Sequence, residues 1–304
     1  MNPHLFENIL YGNPIHIIDI GASGGLHRRW DNFSRFVYPI LIEPNEEEYN
    51  RLVQKYPNGK VIKVALGKDQ GRSKLHLTRK RNCSSVLVPN FDLLNKFPKA
   101  ERFQVDRIVE VECASLDEVL KSNDIKNVDA IKLDTQGVEF EILQGANAAL
   151  DTTLLVETEV EFLPMYVGQV TFCDLCKYMN TRGFELLDIQ RNYWKRKSSF
   201  GLGLKGQLIS GDTLFIRPPE YIVENFNEMK IVHAICIFLI YGHDSLAGKI
   251  YDLAKDLLSQ EVQENCKVLI RSFFKNSLQS KIGTFLAHFT DGNNTLNHVT
   301  GDEG

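Results

Sequence analysis

The chain has 304 residues, of which 43% are hydrophobic and 24% are charged, and its formal net charge at pH 7 is -4. This is the composition of a globular protein that can bury a large core in one or two domains, and the slight acidic excess gives no general reason to expect a nucleic-acid partner. The longest apolar run, Ile231 to Tyr241, is too short to cross a bilayer, which takes about 20 residues. The N-terminal residues lack the basic and apolar segments expected of a signal peptide.

The first predicted elements surround the stretch Ile15–Gly25, IHIIDIGASGG. It is typical of a buried strand followed by a tight turn rich in glycine, which lets a ligand approach the backbone closely. A helix is expected over Gly25–Phe36 and a short strand over Val37–Ile42. The next predicted helix, Asn45–Tyr56, has Asn45 at its N-cap and acidic residues in its first turn.

Strands and helices continue to alternate along the chain. Strands are predicted at Val61–Leu66, Ser73–Thr78, Arg107–Cys113, Val128–Leu133, Thr152–Thr158, Phe184–Ile189 and Thr213–Ile216. Helices are predicted after the cap residue Ser115, at Val138–Leu150 and at Thr171–Arg182. This order predicts an α/β fold with a doubly wound, mostly parallel sheet of seven strands and helices on both faces. Ser73–Thr78 is expected in an added hairpin or at an edge, and the last strand pair allows an antiparallel edge strand.

Two adjacent prolines, Pro218 and Pro219, mark a boundary. Residues 1–217 are therefore expected to form one domain, residues 218–290 a helical extension and residues 291–304 a disordered tail. The extension has the pattern of about three helices, with interruptions near Gly242 and Gly283. Its apolar runs are expected to pack against the sheet or against a second copy of the chain, as a homodimer.

Six cysteines are scattered through apolar surroundings, which is typical of reduced thiols and predicts a cytoplasmic protein. Cys173 and Cys176 have the spacing of a metal or redox pair, but they lie in a helical pattern with no second pair. No metal site is predicted.

Several chemically distinctive residues stand at the predicted carboxyl ends of successive strands. They are Asp19, Glu43, Ala65 with Leu66, Asp134 and Glu157. Because parallel strands end at one edge of a sheet, these residues are expected to line the cleft where doubly wound folds bind their ligands. Glu43 also follows the glycine turn at about the separation of an acid that binds ribose hydroxyls.

The glycine turn discriminates between nucleotide-like ligands. The dinucleotide fingerprint G-x-G-x-x-G fails at Ser23, and the lysine pattern of a P-loop is absent. Asp19, two residues before Gly21, favours a ligand that carries a cation. S-adenosylmethionine carries two, a sulfonium and an ammonium group.

Three stretches resemble a known family. Asp19–Gly24 looks like the first motif of class I methyltransferases, Glu43–Asn45 is similar to their second-strand acid, and Lys132–Ala146 (KLDTQGVEFEILQGA) resembles the signature of the FkbM family. The resemblance runs from about Ile15 to Arg217. It implies a Rossmann-like fold that uses S-adenosylmethionine to methylate a hydroxyl, typically of a sugar or natural product. The residues that it implies at the cofactor are Asp19, Gly21, Ala22, Ser23, Gly24, Glu43, Pro44, Asn45, Ala65, Leu66, Asp134 and Thr135.

The chain departs from the family at one position. Asp-x-Glu-Gly usually follows the fourth strand, whereas this chain has Asp134-Thr135-Gln136-Gly137. Gln136 keeps the shape and hydrogen bonding of glutamate but removes the carboxylate that would act there as a base or metal ligand.

The candidate catalytic residues are Asp134, Glu157 and His76. Methyl transfer depends mainly on in-line alignment, and an alcohol acceptor also gains from a base within hydrogen-bond reach. Asp134 is expected near the methionine end of the cofactor, with a helix N-cap as its alternative role. Glu157 shares one strand face with Glu159 and Glu161; Glu157 is expected to meet the acceptor and the other two to be solvated. His76 is either a base or a surface residue.

The sequence thus predicts an S-adenosylmethionine-dependent O-methyltransferase for a hydroxyl of a sugar, glycan or related natural product, with no nucleic-acid partner. Two alternatives stay open. One is an NAD(P)-linked or nucleotide-sugar oxidoreductase, and the other is a binding module that kept the fold and lost the chemistry, for which Gln136 is the best support. The basic loop Arg191–Gly211 is a candidate lid or acceptor clamp.

Overall fold

A computed structural model of the protein describes residues 4–198 and 205–274. Its strands are β1 (Ile15–Ile20), β2 (Val37–Ile42), β3 (Lys60–Ile62), β4 (Ala65–Leu66), β5 (Gly71–Thr78), β6 (Val105–Ala114), β7 (Ala130–Leu133), β8 (Leu155–Glu161), β9 (Glu185–Trp194) and β10 (Gln207–Ile216). Its α-helices are α1 (His4–Leu10), α2 (Glu46–Lys55), α3 (Phe91–Leu94), α4 (Leu116–Ser122), α5 (Glu139–Gln144), α6 (Asn147–Thr152), α7 (Phe172–Thr181), α8 (Pro219–Asn225), α9 (Glu228–Ile240) and α10 (Asp244–Ala254). Short 3-10 helices cover Arg28–Phe36, Arg81–Cys83 and Ala100–Phe103, and residues 260–274 are helical.

The main sheet has seven strands in the order β3-β2-β1-β7-β8-β10-β9. Strands β3, β2, β1, β7 and β8 run parallel to one another, and β10 runs antiparallel to both of its neighbours. The seven-stranded, mostly parallel sheet predicted from the sequence is therefore confirmed. The direction of winding changes between β1 and β7, and this is the point where doubly wound folds bind their ligands.

The predicted strand Val61–Leu66 is in fact two elements. β3 ends the main sheet, whereas β4 pairs with β6 in a second sheet of order β4-β6-β5. The apolar pattern continues from β3 to β4 because the chain passes directly from the edge strand of the main sheet into the second sheet. The second sheet includes the predicted strand Ser73–Thr78, and it stands over the carboxyl end of the main sheet.

Two predicted helices also differ from the structure. The segment Gly25–Phe36 forms a 3-10 helix that begins only at Arg28, because Gly24 and Gly25 have left-handed backbone angles that prevent an earlier start. The segment Val138–Leu150 is divided into α5 and α6 at Gly145. A Cβ atom at Gly145 would lie 2.7 Å from the carbonyl oxygens of Gly67 and Lys68, so the chain passes closely beneath the loop after β4 at this point.

The two faces of the sheet pack against different helices. Helices α4 to α7 cover one face, while α1, α8, α9 and α10 cover the other. The apolar run Ile231–Tyr241 is largely α9, whose residues from Ile231 to Leu239 are all buried. Of the two packing partners expected for this run, the sheet is the one observed, and these helices share their core with the sheet. The division of the chain at residue 217 and the homodimer stay predictions.

The predicted interruption near Gly242 separates α9 from α10, and Gly242 has a φ of 83°. Gly283, the expected tail 291–304 and the centre of the candidate lid, residues 199–204, lie outside the described residues. None of the helices in residues 4–198 and 205–274 is long and apolar enough to span a bilayer.

Candidate active site

A cleft of about 990 Å³ opens at the carboxyl ends of β1, β2 and β7, beneath the second sheet. The residues implied at the cofactor line this cleft with two exceptions, Asp19 and Ala22, which are both buried under the glycine turn. The structure therefore brings the sequence-predicted residues together at one site. Their individual contacts with a cofactor stay predictions.

The glycine turn closes tightly against the end of β7. Gly21 has a φ of 72°, and a Cβ atom at this position would lie 2.1 Å from the carbonyl oxygen of Asp134. Both the left-handed backbone and the close approach exclude other residues. Gly21 thus sets the distance between the two strand ends that form the floor of the cleft.

Every backbone N–H of the turn from Gly21 to Leu26 is already donated within the protein. The acceptors include the carbonyl oxygen of Ile42, the carboxylate of Glu48 at 2.7 Å from the Gly24 nitrogen, and the hydroxyl of Tyr56 at 2.9 Å from the Leu26 nitrogen. A dinucleotide-binding turn presents free N–H groups to a pyrophosphate. This turn has none to offer, so a dinucleotide fits it poorly.

Glu43 places a carboxylate inside the cleft at the end of β2. It is only 6% exposed, and its Oε1 accepts a hydrogen bond of 2.8 Å from the backbone N–H of Asn45. Its Oε2 has no hydrogen-bond partner among the described residues. Burial raises the pKa of Glu43 to about 7. A carboxylate held in this way can accept hydrogen bonds from the hydroxyls of a ribose. The apolar side chains of Ile42, Leu66 and Leu77 line the same cleft and are suited to contact an adenine ring.

Glu43 should therefore make cofactor binding depend on pH. Affinity for S-adenosylmethionine is expected to rise as pH increases through about 7, because the ionised carboxylate is the better acceptor. Glu43→Gln should weaken binding by about tenfold or more, as expected for a charge-assisted hydrogen bond, and should abolish the pH dependence near 7. Calorimetric titrations between pH 5.5 and 8.5 measure both effects.

The matched control is Glu46→Gln, since Glu46 is exposed on α2 and pairs with Lys63. Its affinity profile should match that of the unaltered protein. Because the folded-state pKa of Glu43 is raised, ionisation opposes folding, so Glu43→Gln should also unfold at a higher temperature than the unaltered protein at pH 8. If the affinity of Glu43→Gln for S-adenosylmethionine depended on pH as it does in the unaltered protein, the role of Glu43 in cofactor binding would be contradicted.

The contacts of Asp19 in the described residues are with another side chain of the protein. It is 1% exposed, and its Oδ1 lies 3.4 Å from Nζ of Lys132. Burial raises the pKa of Asp19 to about 6, although Lys132 opposes the shift. The same ammonium group lies 4.0 Å from Oδ2 of Asp134. The cation that Asp19 meets is thus the protein's own Lys132, which links the core beneath the turn to the cleft.

Gln136 joins two carboxylates at the mouth of the cleft. Its Nε2 donates hydrogen bonds to Asp134 Oδ1 at 3.0 Å and to Glu159 Oε2 at 2.8 Å, and its Oε1 lies 3.3 Å from the hydroxyl of Tyr166. The residue has a φ of 59°, in the left-handed region. An amide can donate to both acids at once, whereas a glutamate here would add a third negative charge. Gln136, the residue that departs from the family motif, therefore helps to orient Asp134.

A neighbouring acid, Glu139, supports the same loop. Glu139 accepts hydrogen bonds from the backbone N–H groups of Thr135 at 2.8 Å and Gly137 at 2.9 Å, which fixes the loop that carries Asp134. The expectation that Glu159 and Glu161 are solvated is wrong, since Glu161 is 2% exposed. Burial, aided by nearby carboxylates, raises the pKa of both groups well above the usual range. Strand β8 extends beyond its predicted end, which carries these acids under the loop that follows.

The other two catalytic candidates do not join Asp134 in the cleft. Glu157 Oε1 accepts a hydrogen bond of 3.1 Å from Arg29, and its Oε2 accepts one of 2.8 Å from the hydroxyl of Tyr241. It lines a second cavity of about 350 Å³ beside the cleft. His76 lies on β5 between two leucines that line the cleft, and its own side chain is not among the lining residues.

Sequence reasoning missed most of the second cavity. Asp212 lies in β10, beyond the residues that the family model matches, so the family motifs gave no signal for it. Tyr241 is 84 residues from Glu157 in the chain, and no local pattern connects them. The hydrogen bond of Gln136 to Glu159 also depends on a contact that no local pattern reveals, between the loop after β7 and strand β8.

The strand order, the glycine turn after β1, the acid after β2 and the cleft at the winding reversal together define the class I methyltransferase fold. The sequence model described as the Methyltransferase FkbM domain matches residues 19–186, more than half of the chain. The chain belongs to the FkbM methyltransferase family, and its cofactor is S-adenosylmethionine.

Solved structures with a similar arrangement include a precorrin-6y C5,15-methyltransferase from Geobacter metallireducens, with 8% identity, a TM-score of 0.35 and coverage of 70% of this chain and 86% of the other. A TehB-like SAM-dependent methyltransferase from Corynebacterium glutamicum has 12% identity and a TM-score of 0.32, with coverage of 71% and 86%. No curated protein sequence matches the chain.

Proposed function

We propose that the protein methylates a hydroxyl of a sugar, glycan or related natural product, with Asp134 as the base. The observation that carries the proposal is the carboxylate of Asp134, whose side chain is 48% exposed and lies in the cofactor cleft. Gln136 holds one of its oxygens, and Lys132 approaches the other. An exposed carboxylate with a fixed orientation suits proton removal from a hydroxyl.

The chain's own residues have two tasks in this reaction. When bound, S-adenosylmethionine supplies a methyl group on a positively charged sulfur. The glycine turn and Glu43 hold the cofactor in position, and proximity supplies most of the rate enhancement. Asp134 accepts the proton that the acceptor hydroxyl loses as its oxygen becomes a methyl ether.

Other carboxylates near the cleft are less suitable as the base. Both oxygens of Glu157 are engaged by Arg29 and Tyr241. Glu159 is held by Gln136, and burial raises the pKa of Glu159 well above the usual range, so it is less suited to exchange a proton with an acceptor hydroxyl. The internally bonded amides of the glycine turn disfavour the oxidoreductase alternative. A cytoplasmic location is proposed from the cysteines, which are all free thiols.

Asp134→Asn tests the assignment of the base. The amide keeps the hydrogen bonding but cannot take a proton, so kcat should fall by about a hundredfold or more, while the Kd for S-adenosylmethionine should change less than about threefold. The measurement is S-adenosylhomocysteine release with a panel of monosaccharides, amino sugars and glycans as acceptors.

The matched control is Asp174→Asn, an exposed acid on α7 that pairs with Lys177. It should keep full activity. Turnover with amine or nucleic-acid acceptors and none with hydroxyl acceptors would overturn the proposed function. An unchanged kcat in Asp134→Asn would overturn the assignment of Asp134 as the base.

A further inference from the structure

The second cavity lies beside the cofactor cleft, against the strands farthest from the glycine turn. Its walls come from β8, β9 and β10, from the segment just after the glycine turn and from the carboxyl end of α9. At about 350 Å³ it is the size of a small ligand or one ring of a larger one. The residues that line it are mostly polar, with Glu157, Asp188 and Asp212 among them.

The charges in this cavity are unbalanced. Three carboxylates face one guanidinium, that of Arg29, which is already engaged by Glu157 and lies 4.2 Å from the ring centre of Tyr241. Asp212 has no hydrogen-bond or ion-pair partner in the described part of the chain. Among the described residues, Asp188 accepts a hydrogen bond only from the neighbouring backbone N–H of Ile189. The cavity therefore carries an excess of negative charge, which Arg29 and the nearby Lys132 offset in part.

The two imidazoles of the cavity do not change this balance. Burial lowers the pKa of both His27 and His243, which favours the uncharged form of both rings. With Arg29 committed, the described lining has no free cation for a phosphate or carboxylate ligand. A ligand with a positive charge would be attracted, and its hydroxyls would find acceptors in the remaining oxygens.

Contacts between residues link the walls of the cavity to the surroundings of Asp134 in the cofactor cleft. Asp212 stands opposite Glu159 in the pairing of β10 with β8. Glu159 accepts a hydrogen bond from Gln136, which also holds Asp134 in the cleft. On the other side, Glu157 is the strand partner of Lys132, whose ammonium group approaches Asp134. Asp212 of the cavity and Asp134 of the cleft are also near enough to interact electrostatically, so the cavity lies beside the carboxylate proposed as the base.

We propose that this cavity is the acceptor subsite and that it selects a saccharide bearing a protonated amine over neutral or phosphorylated saccharides. This inference rests on the proposed function, since it takes the methyl acceptor to be a sugar. Asp188 and Asp212 bind the ammonium group, and Glu157 remains paired with Arg29 and Tyr241. The preference follows from an ion pair in a concave site that is only partly open to solvent.

The test uses the full chain saturated with S-adenosylhomocysteine and two matched probes. One is the glucosamine trisaccharide, and the other is the same trisaccharide with every amine acetylated. Calorimetry at fixed ionic strength should give a Kd about tenfold lower for the free amine, the equivalent of one charge-assisted hydrogen bond. In the Asp188→Asn, Asp212→Asn double variant the two Kd values should agree within about twofold.

Asp174→Asn, which removes a similar exposed charge on α7, should keep the tenfold preference. The single variant Asp188→Asn should lose part of it, and unchanged S-adenosylhomocysteine affinity shows that each variant is folded. Equal binding of the two probes, or a preference that survives in the double variant, overturns the inference. If the amine preference behaves as expected but neither trisaccharide is methylated in the same samples with S-adenosylmethionine, the cavity binds amino sugars but its assignment as the acceptor subsite is overturned, whereas the proposed function fails only if the whole panel of hydroxyl acceptors is inactive.

Discussion

Replacement of Asp129 by alanine is expected to lower the free energy of unfolding by about 3–5 kcal/mol, the usual effect of breaking a buried ion pair. Asp129 is 2% exposed and precedes β7. Its Oδ1 lies 2.6 Å from Nζ of Lys230 and 3.0 Å from Nδ1 of His233, and its Oδ2 accepts a hydrogen bond of 2.7 Å from the backbone N–H of His16. The substitution would leave Lys230 and His233 on α9 without their shared carboxylate. Urea denaturation of the full chain measures the change.

Asp174→Ala is the control for this experiment, because it breaks an exposed pair on α7 and should cost at most about 1 kcal/mol. The double variant Asp129→Ala, Lys230→Met should recover part of the loss, since it removes the unpaired charge as well. Equal effects of Asp129→Ala and Asp174→Ala would show that the pair does not hold α9 on the sheet.

Asp129 should also make the protein less stable at acid pH. Burial alone would raise the pKa of Asp129, but its contacts with His233 and Lys230 lower it from 3.8 to about 2. A carboxyl with a lowered folded-state pKa stabilises the fold above its unfolded value, and the contribution is lost as pH falls from about 4 to 2. Asp129→Ala should therefore remove part of the acid sensitivity in this range.

Gly21→Ala should affect both stability and cofactor binding. The new Cβ would lie 2.1 Å from the carbonyl oxygen of Asp134, and the backbone would be held at a φ of 72°. Left-handed strain alone costs about 1–2 kcal/mol, and separation of the ends of β1 and β7 should bring the total to about 3–5 kcal/mol, the range of severe substitutions. Affinity for S-adenosylmethionine should fall more than tenfold, since the floor of the cleft moves. Urea denaturation and calorimetric titration test the two effects.

Gly12 supplies a closely matched control. It has a φ of 74°, and no atom lies within 4 Å of the place that a Cβ atom would take. Gly12→Ala should therefore show the strain without the collision, with an unfolding free energy lower by only about 1–2 kcal/mol and an unchanged Kd for the cofactor. Similar losses in both variants would mean that close approach at Gly21 has no special importance.

Local features of the structure were predictable because their causes are local. The apolar run Val37–Ile42 forms β2 with the predicted bounds, because a short apolar run is typical of a buried strand, and five of its six residues are buried. Ser115 caps α4 as predicted, and it forms a capping box with Glu118. The glycine turn and Glu43 were found from their spacing, because a close backbone approach and a ribose-binding acid each require a particular residue type.

Contacts between distant parts of the chain were not predictable in the same way. The break between β3 and β4 depends on the presence of a second sheet, and the burial of Glu161 depends on the loop that covers it. Gln136 appeared in the sequence as a lost acid. Its position between Asp134 and Glu159 shows instead that its amide holds two carboxylates in place.

The sequence by itself determined the class of fold and the family, and it predicted the residues of the cofactor cleft, because strand periodicity, glycine and acid spacing are properties of short segments. Only the tertiary structure decided which acids are accessible in the cleft. In the structure Asp19 contacts Lys132, both oxygens of Glu157 accept hydrogen bonds, and Asp134 is exposed in the cleft. The physical reason is that the accessibility of a carboxylate depends on its neighbours in space, and those neighbours come from β7, the first 3-10 helix, the end of α9 and the loop after β7.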